Sequence, residues 1–236
     1  MNEADTSRTA TSDAKGRRLA ARLLRTVPDA HIAPRTLPLA PSLSLWLLRD
    51  DFPRGPLPPE VVAAVTARPA YWAFCWAAGQ VLAAWLLAQP ERVRGLRVLD
   101  FGAGSGVAGI AAARAGAAEV ICCDNDPDAL LACESNAELN GVSVTLAHDL
   151  AQVPPVDVVL VADVLYDRDN LPLLTELLAR GEAVIVADAR VDPAALPAWR
   201  VVDEREGRTL PDLDESGLFR LVRIYERAEP RDAAVP

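Results

Sequence analysis

Lysine is almost missing from this chain, Lys15 being the single one among 24 basic residues. A GC-rich coding genome accounts for such an Arg- and Ala-rich composition without any functional avoidance of lysine. Basic charge is scarce overall: a formal net charge of -9 excludes the broad cationic surface that a free nucleic acid needs, and leaves room only for a local strip. Histidine is limited to His31 and His148, too few and too scattered for a metal site, so no metal requirement is expected. Neither a Ser/His/Asp pattern nor a P-loop is present. The cysteines, Cys75, Cys122, Cys123 and Cys133, make neither a C-x-x-C pair nor a regular framework. That excludes a disulfide scaffold and reads as buried thiols in a reducing compartment. No apolar run reaches the roughly 18 residues of a spanning helix, so no membrane partner is expected. Met1 to Gly16 carries Glu3, Asp5 and Asp13, which suits neither a secretory signal nor an acid-poor transit peptide. The Arg-rich stretch Arg17 to Arg25 is a weak organellar signal, and the expected location is the cytoplasm.

What is present is enough apolar material for a substantial core, at 51% of 236 residues; the length suits one domain with an extension. The layout reads as a disordered tail over 1–16, an N-terminal helix and proline-rich arm over 17–70, a main domain over 71–228 and a C-terminal tail over 229–236. In the arm, 17–27 suits a short helix. Prolines then recur from Pro28 to Pro59, while Leu37, Leu39, Leu43, Leu45, Leu47 and Leu48 predict short strands or turns packed on the core. Tyr71 to Leu87 is apolar on nearly every face, which predicts a buried helix entered by a loop around Trp72 to Ala78.

Beyond it, strand candidates at 97–101, 118–123, 143–147, 156–162 and 182–187 alternate with helical segments. Alternation of this kind implies an α/β fold with a mostly parallel sheet. Asp126 followed by Pro127 predicts a helix start, and Asn140-Gly141 predicts its end. Two late candidates, 199–205 and 217–226, lack a long helix between them and predict an antiparallel hairpin at a sheet edge.

Val98 to Gly106 sets a glycine-rich turn, Gly102, Gly104 and Gly106, directly between a strand and a helix. Glycine there permits a sharp turn and close approach of a ligand. The overlapping Gly104-x-Gly106-x-x-Gly109 also satisfies the dinucleotide pattern, so spacing alone leaves both NAD and S-adenosylmethionine open. Asp100 ends the strand before the first glycine, where it can hold the turn or accept from a cationic ligand, and where a pyrophosphate would be repelled. Asp124, with Asn125 beside it, closes the next strand at the place where a carboxylate grips ribose hydroxyls of either cofactor. Asp149, after the third strand, can meet an adenine amino group.

Three segments together carry a family likeness: Tyr71-Trp72-Ala73-Phe74-Cys75-Trp76-Ala77-Ala78-Gly79-Gln80, Val98 to Gly106, and Ala162-Asp163-Val164-Leu165-Tyr166-Asp167. From about Leu37 to Tyr225 the chain resembles the seven-β-strand protein lysine methyltransferases, above all those of the electron transfer flavoprotein β subunit and their bacterial relatives. The resemblance implies a Rossmann-like sheet of seven strands with helices on both faces and the last strand antiparallel. It also implies S-adenosylmethionine as methyl donor and a protein lysine as acceptor. The D-x-x-Y motif, here Asp163 and Tyr166, is implied to face the substrate amine, with Asp163 also touching the cofactor. Trp76, Gly79 and Gln80 are implied to serve the methionine end. Ala77-Ala78 departs from the Pro-Gly or Ala-Gly of many relatives, and the acid and Arg of Asp188-Ala189-Arg190 sit where relatives carry a similar pair. The proline-rich arm is unusual for the family, in which such arms commonly shape the substrate entrance. Ribosomal proteins or a nicotinamide-like small amine are alternative acceptors, and an NAD-dependent oxidoreductase is the reading from another class. The protein is expected to work as a monomer.

Overall fold

The computed structural model describes residues 14–52, 55–165, 170–214 and 216–227. Helix α1 runs over 14–23 and is followed by strands β1 (Ile32–Thr36) and β2 (Ser44–Leu48), helix α2 (Pro59–Ala67), a short 3-10 turn at Tyr71–Ala73 and helix α3 (Ala77–Ala88). The main sheet takes its strands from β3 (Arg97–Phe101), β4 (Glu119–Cys123), β5 (Thr145–Ala147), β6 (Val156–Ala162), β7 (Gly181–Asp188), β8 (Trp199–Glu206) and β9 (Leu221–Arg227). Helices α4 (Val107–Arg114), α5 (Pro127–Leu139) and α6 (Leu173–Leu178) connect them.

The strand order is β5-β4-β3-β6-β7-β9-β8. The first five strands of that order pair in parallel, and β9 runs antiparallel to both of its neighbours. The predicted strands therefore fall within a few residues of the observed ones, and the late hairpin is β8–β9. Parallel strands must be covered on both faces, and the composition shows it: Leu99, Val159, Leu160 and Val161 are fully buried, each contributing roughly 1.5–3 kcal/mol by burial. Alternate residues feed two different cores, Val98 and Leu160 on one face, Leu99 and Val159 on the other.

Two termini in the sequence are capped as their residues dictate. Asp126 accepts from the Asp128 N–H at 2.8 Å with Pro127 in the first turn, and α5 ends at Asn140 followed by Gly141 in the left-handed region. The apolar segment over 71–87 divides as expected into an entry loop and a buried helix: a 3-10 turn and an extended stretch at Phe74 and Trp76 lead into α3.

The arm packs on the core through most of the leucines expected to do so, while Leu39 stays exposed. β1 and β2 pair only with each other, yet Leu37, Leu43, Leu45 and Leu47 are fully buried in the core that α3 and α4 also line. Two asparagines one turn apart on α5 fasten the hairpin. Asn136, itself fully buried, accepts from the Trp46 N–H at 2.7 Å and donates to the Ser105 carbonyl at 2.9 Å. Asn140 accepts from the Ser44 N–H at 3.0 Å and donates to the Ser44 carbonyl at 2.6 Å.

The boundary expected for a disordered tail needs correction. Helix α1 already includes 14–16, because a side chain at Gly16 would strike the Trp46 ring at 2.6 Å and glycine lets the helix lie flat on it. Lys15 in the same turn pairs with Glu138 at 2.6 Å and Glu134 at 3.4 Å on α5. The rest of that tail, and the C-terminal one beyond Arg227, lie outside the described residues. Among the described residues, no helix is long and apolar enough to cross a membrane, and all four cysteines are buried free thiols.

Replacing Asn136 by Ala strands the buried Trp46 N–H and Ser105 carbonyl. At about 1–3 kcal/mol per unsatisfied group, Asn136→Ala is expected to lower unfolding free energy by about 3 kcal/mol in urea titrations. A loss below ~1 kcal/mol would show that apolar packing alone holds the arm.

Candidate active site

Parallel pairing puts the carboxyl ends of β3 to β7 on one edge. Phe101 stands in register with Cys123 and Val161, Cys123 with Ala147, and Ala162 with Ala187. The chain leaves β3 toward β4 and β5 and returns on the other side as β6, so the order reverses between β3 and β6. Ligand crevices of open α/β sheets form at such a point. Here it is flanked by the glycine turn after β3 and by Asp163 after β6.

Gly102, Gly104 and Gly106 all have positive φ, at 66°, 53° and 77°. A Cβ on Gly106 would come within 3.1 Å of Cys133 on α5, whereas one on Gly104 would meet little, its nearest neighbour being the Gly102 carbonyl at 3.9 Å. Gly106 thus serves packing, and Gly104 faces open space that a ligand can fill. Asp124 shapes this loop by accepting from the Gly104 N–H at 2.8 Å and the Asp126 N–H at 2.9 Å. Asn125 and Asp149 are exposed along the same edge, Asp149 accepting from the Ala151 N–H at 2.9 Å.

Asp163 adopts φ 53°, a left-handed conformation that few non-glycine residues hold. Its Oδ2 accepts from the Ala78 N–H at 3.0 Å, one of the orphan donors in the first turn of α3, where the helix dipole favours an anion. Around it Trp76 and Ala77, Ala189 and Arg190, and Thr209 and Phe219 line one cleft. Trp76 is held by its Nε1 donating to the Tyr71 carbonyl at 3.0 Å and by ring contacts with Tyr71 and Phe74, at 5.7 and 5.6 Å between centroids. The loop bearing Thr209 is tied to this aromatic segment by paired backbone bonds between Cys75 and Leu210, both 2.8 Å.

A family model described as lysine methyltransferase matches residues 71–187. The electron transfer flavoprotein beta subunit lysine methyltransferase of Xenopus laevis is 37% identical to this chain over 169 residues, 67% of each protein. The chain belongs to the lysine methyltransferase family.

Ribosomal protein L11 methyltransferase of Stenotrophomonas maltophilia is 45% identical over 111 residues, which cover 45% of this methyltransferase but 35% of that one. Magnesium protoporphyrin IX methyltransferase from Synechocystis, solved with bound SAM, shares the fold at a TM-score of 0.50 and 21% identity, over 75% of this chain and 87% of that one. Membership of the lysine methyltransferase family makes S-adenosylmethionine the methyl donor, and the oxidoreductase reading of the glycine pattern falls away. The residues fit the donor: an open-faced glycine turn at the switch point, carboxylates at the ends of successive strands and an aromatic wall beside Asp163.

Two of the expected cofactor ligands are engaged elsewhere. Gln80 is only 2% exposed; its Oε1 accepts from the Leu39 N–H and its Nε2 donates to the Arg208 carbonyl, both at 3.0 Å. It ties the arm to the β8–β9 loop and does not face the cleft. Asp100, also 2% exposed, accepts from the Gly109 N–H at 2.8 Å, so of the two tasks expected for it the methyltransferase uses it to hold the turn and the start of α4. Gly79 packs against Val107 on α4. Tyr166 and Asp167 lie outside the described residues.

Thr209 and Phe219 carry no local sequence signal for the roles seen here, whereas Asp188 and Arg190 are marked by their resemblance to a similar pair in relatives. Asp188 accepts from the Arg190 and Val191 N–H groups at 2.6 and 3.0 Å and so shapes the turn that brings Ala189 and Arg190 to the cleft.

Burial pushes the Asp100 carboxyl up to about 7, with the Gly109 N–H opposing that shift and the charge of Asp124 adding to it. The folded state thus binds this proton more tightly than the unfolded chain. The stabilisation is complete below the unfolded value of about 3.9 and is lost as pH rises toward 7, with a slope approaching ~1.4 kcal/mol per pH unit. Asp100→Asn keeps an acceptor for Gly109 without the titration. Its melting temperature relative to wild type is expected to rise between pH 5 and 8; a constant difference would show that Asp100 is already ionised throughout.

Proposed function

We propose that this methyltransferase transfers methyl groups to a lysine side chain of a protein, with the electron transfer flavoprotein β subunit the first acceptor to test and a ribosomal protein the second. The observation that carries the reading is Asp163: a carboxylate fixed by the first turn of α3, on the β6 side of the switch point, in a cleft walled by Trp76 and Phe219. The names of the relatives support protein acceptors of these two kinds. The buried thiols support a reducing compartment, the cytoplasm.

In this reading Gly102, Gly104 and Gly106 lie along the donor, Asp124 and Asn125 hold its ribose hydroxyls, Asp149 meets its adenine amino group, and Trp76 and Asp163 flank its methionine end. S-adenosylmethionine supplies a methyl group already activated by its sulfonium charge. The chain's own task is alignment and delivery of a neutral amine. In-line placement at about 3–3.5 Å removes much of the entropic barrier. A free lysine has a pKa of about 10.4, so its ammonium must lose a proton. Aromatic walls disfavour the charged form by withdrawing water. Asp163, whose charge the N terminus of α3 favours, orients the amine and receives its proton, and the motif gives Tyr166 the part of a hydrogen-bonding aromatic partner to the same amine.

Intact-mass measurement of the two candidate acceptors, incubated with enzyme and donor, is expected to show added methyl groups on lysine. Methylation confined to small amines would overturn the reading. Asp163→Asn is expected to lower kcat about 10²-fold or more while donor binding, read by calorimetry, changes far less. Equal losses in both would make Asp163 a cofactor ligand only.

A further inference from the structure

A second pocket lies away from the transfer cleft, where the end of α1, the end of α2 and the start of α5 meet. Arg22, Arg25 and Arg68 converge on it, together with Thr26, Trp72 and Asp128. Arg22 and Arg25 belong to the Arg-rich stretch that the methyl-transfer site does not use, and Arg68 caps α2. A helix C terminus favours a nearby cation, which explains one arginine on each helix but not three in one pocket.

The balance of charge there is positive. Asp128, almost buried, pairs with Arg22 at 3.4 Å. Asp126 also feels Arg68, so the carboxylates of Asp126 and Asp128 still leave the three guanidinium groups in excess. Among the described residues, neither Arg25 nor Arg68 has a carboxylate within salt-bridge distance, and both are exposed. On a chain of net charge -9, this is a local cationic spot, and guanidinium groups recognise carboxylates in paired geometry.

We propose that this pocket is a docking site for an acidic segment of the acceptor protein, binding Asp or Glu side chains through Arg25 and Arg68. Three arginines around one pocket do not make the extended basic track that a nucleic acid requires. The pocket also shares a segment with the cleft: Trp72 lines one and Trp76 the other. Four residues of chain span at most ~14 Å, so the two pockets are joined by one short segment. Opposite charge then steers the acceptor and sets its register.

The proposal rests on the protein-acceptor reading, but its test needs no methyl transfer. Fluorescein-labelled hexaglutamate is titrated against the full chain by anisotropy at low salt. Binding is expected, weakening with added salt, and falling about tenfold or more in the Arg25→Ala/Arg68→Ala double variant while S-adenosylhomocysteine affinity stays the same. Equal binding by wild type and variant, or none by wild type, overturns the proposal. So does preferential binding of a single-stranded oligonucleotide, or capture of inorganic phosphate with hexaglutamate excluded. Absence of protein methylation alongside intact, variant-sensitive hexaglutamate binding would count against the acceptor reading alone.

Discussion

The buried amide of Asn136 is the constraint on which the rest of the site depends. One side chain on α5 accepts from the backbone of β2 and donates to the backbone of the glycine turn. An amide has both capacities and is held here without water to compete, so each partner would be left unsatisfied if it moved. The arm, the helix and the cofactor turn are thereby one unit. Asn140, a turn later, repeats the attachment at Ser44 and fixes the angle of the hairpin.

A common device runs through the crevice. Asp100, Asp124, Asp149, Asp163 and Asp188 each end or follow a strand, and each accepts from a backbone N–H. Their carboxylates stabilise tight turns whose donors parallel strands leave unpaired. The same geometry aligns acids along one edge of the sheet, where a cationic donor and a lysine can be held together. Asp100 sits deepest, and its raised affinity for a proton follows from that burial. Asp163 follows β6 and accepts from the first turn of α3, whose dipole supports its charge. Depth separates the acids that build the loop from the one that faces the cleft.

Local chemistry made much of this legible in the sequence. Short continuous apolar runs located the strands, because a strand buried on both faces needs apolar residues on both. Asp126-Pro127 and Asn140-Gly141 marked the ends of α5 through their own capping preferences, and the Gly102 to Gly106 turn announced itself by conformational need. The motif around Asp163 pointed to one acid of the cleft. The roles of Gln80 and Asn136 were not legible. An amide can face a ligand or bind backbone with equal ease, and its partners, Leu39 and Arg208 or Trp46 and Ser105, are remote in sequence.

The sequence by itself thus determined the order of strands and helices, the place of the cofactor turn and the acid after β6, since each depends on neighbours within a few residues. Only the tertiary structure decided that α5 fastens the arm through Asn136 and Asn140, that Gln80 is a support, which of its two tasks Asp100 performs, and that Arg190, Thr209 and Phe219 wall the cleft. Those outcomes depend on contacts between residues far apart along the chain, where packing and the need to satisfy buried polar groups select among partners that local pattern leaves equivalent.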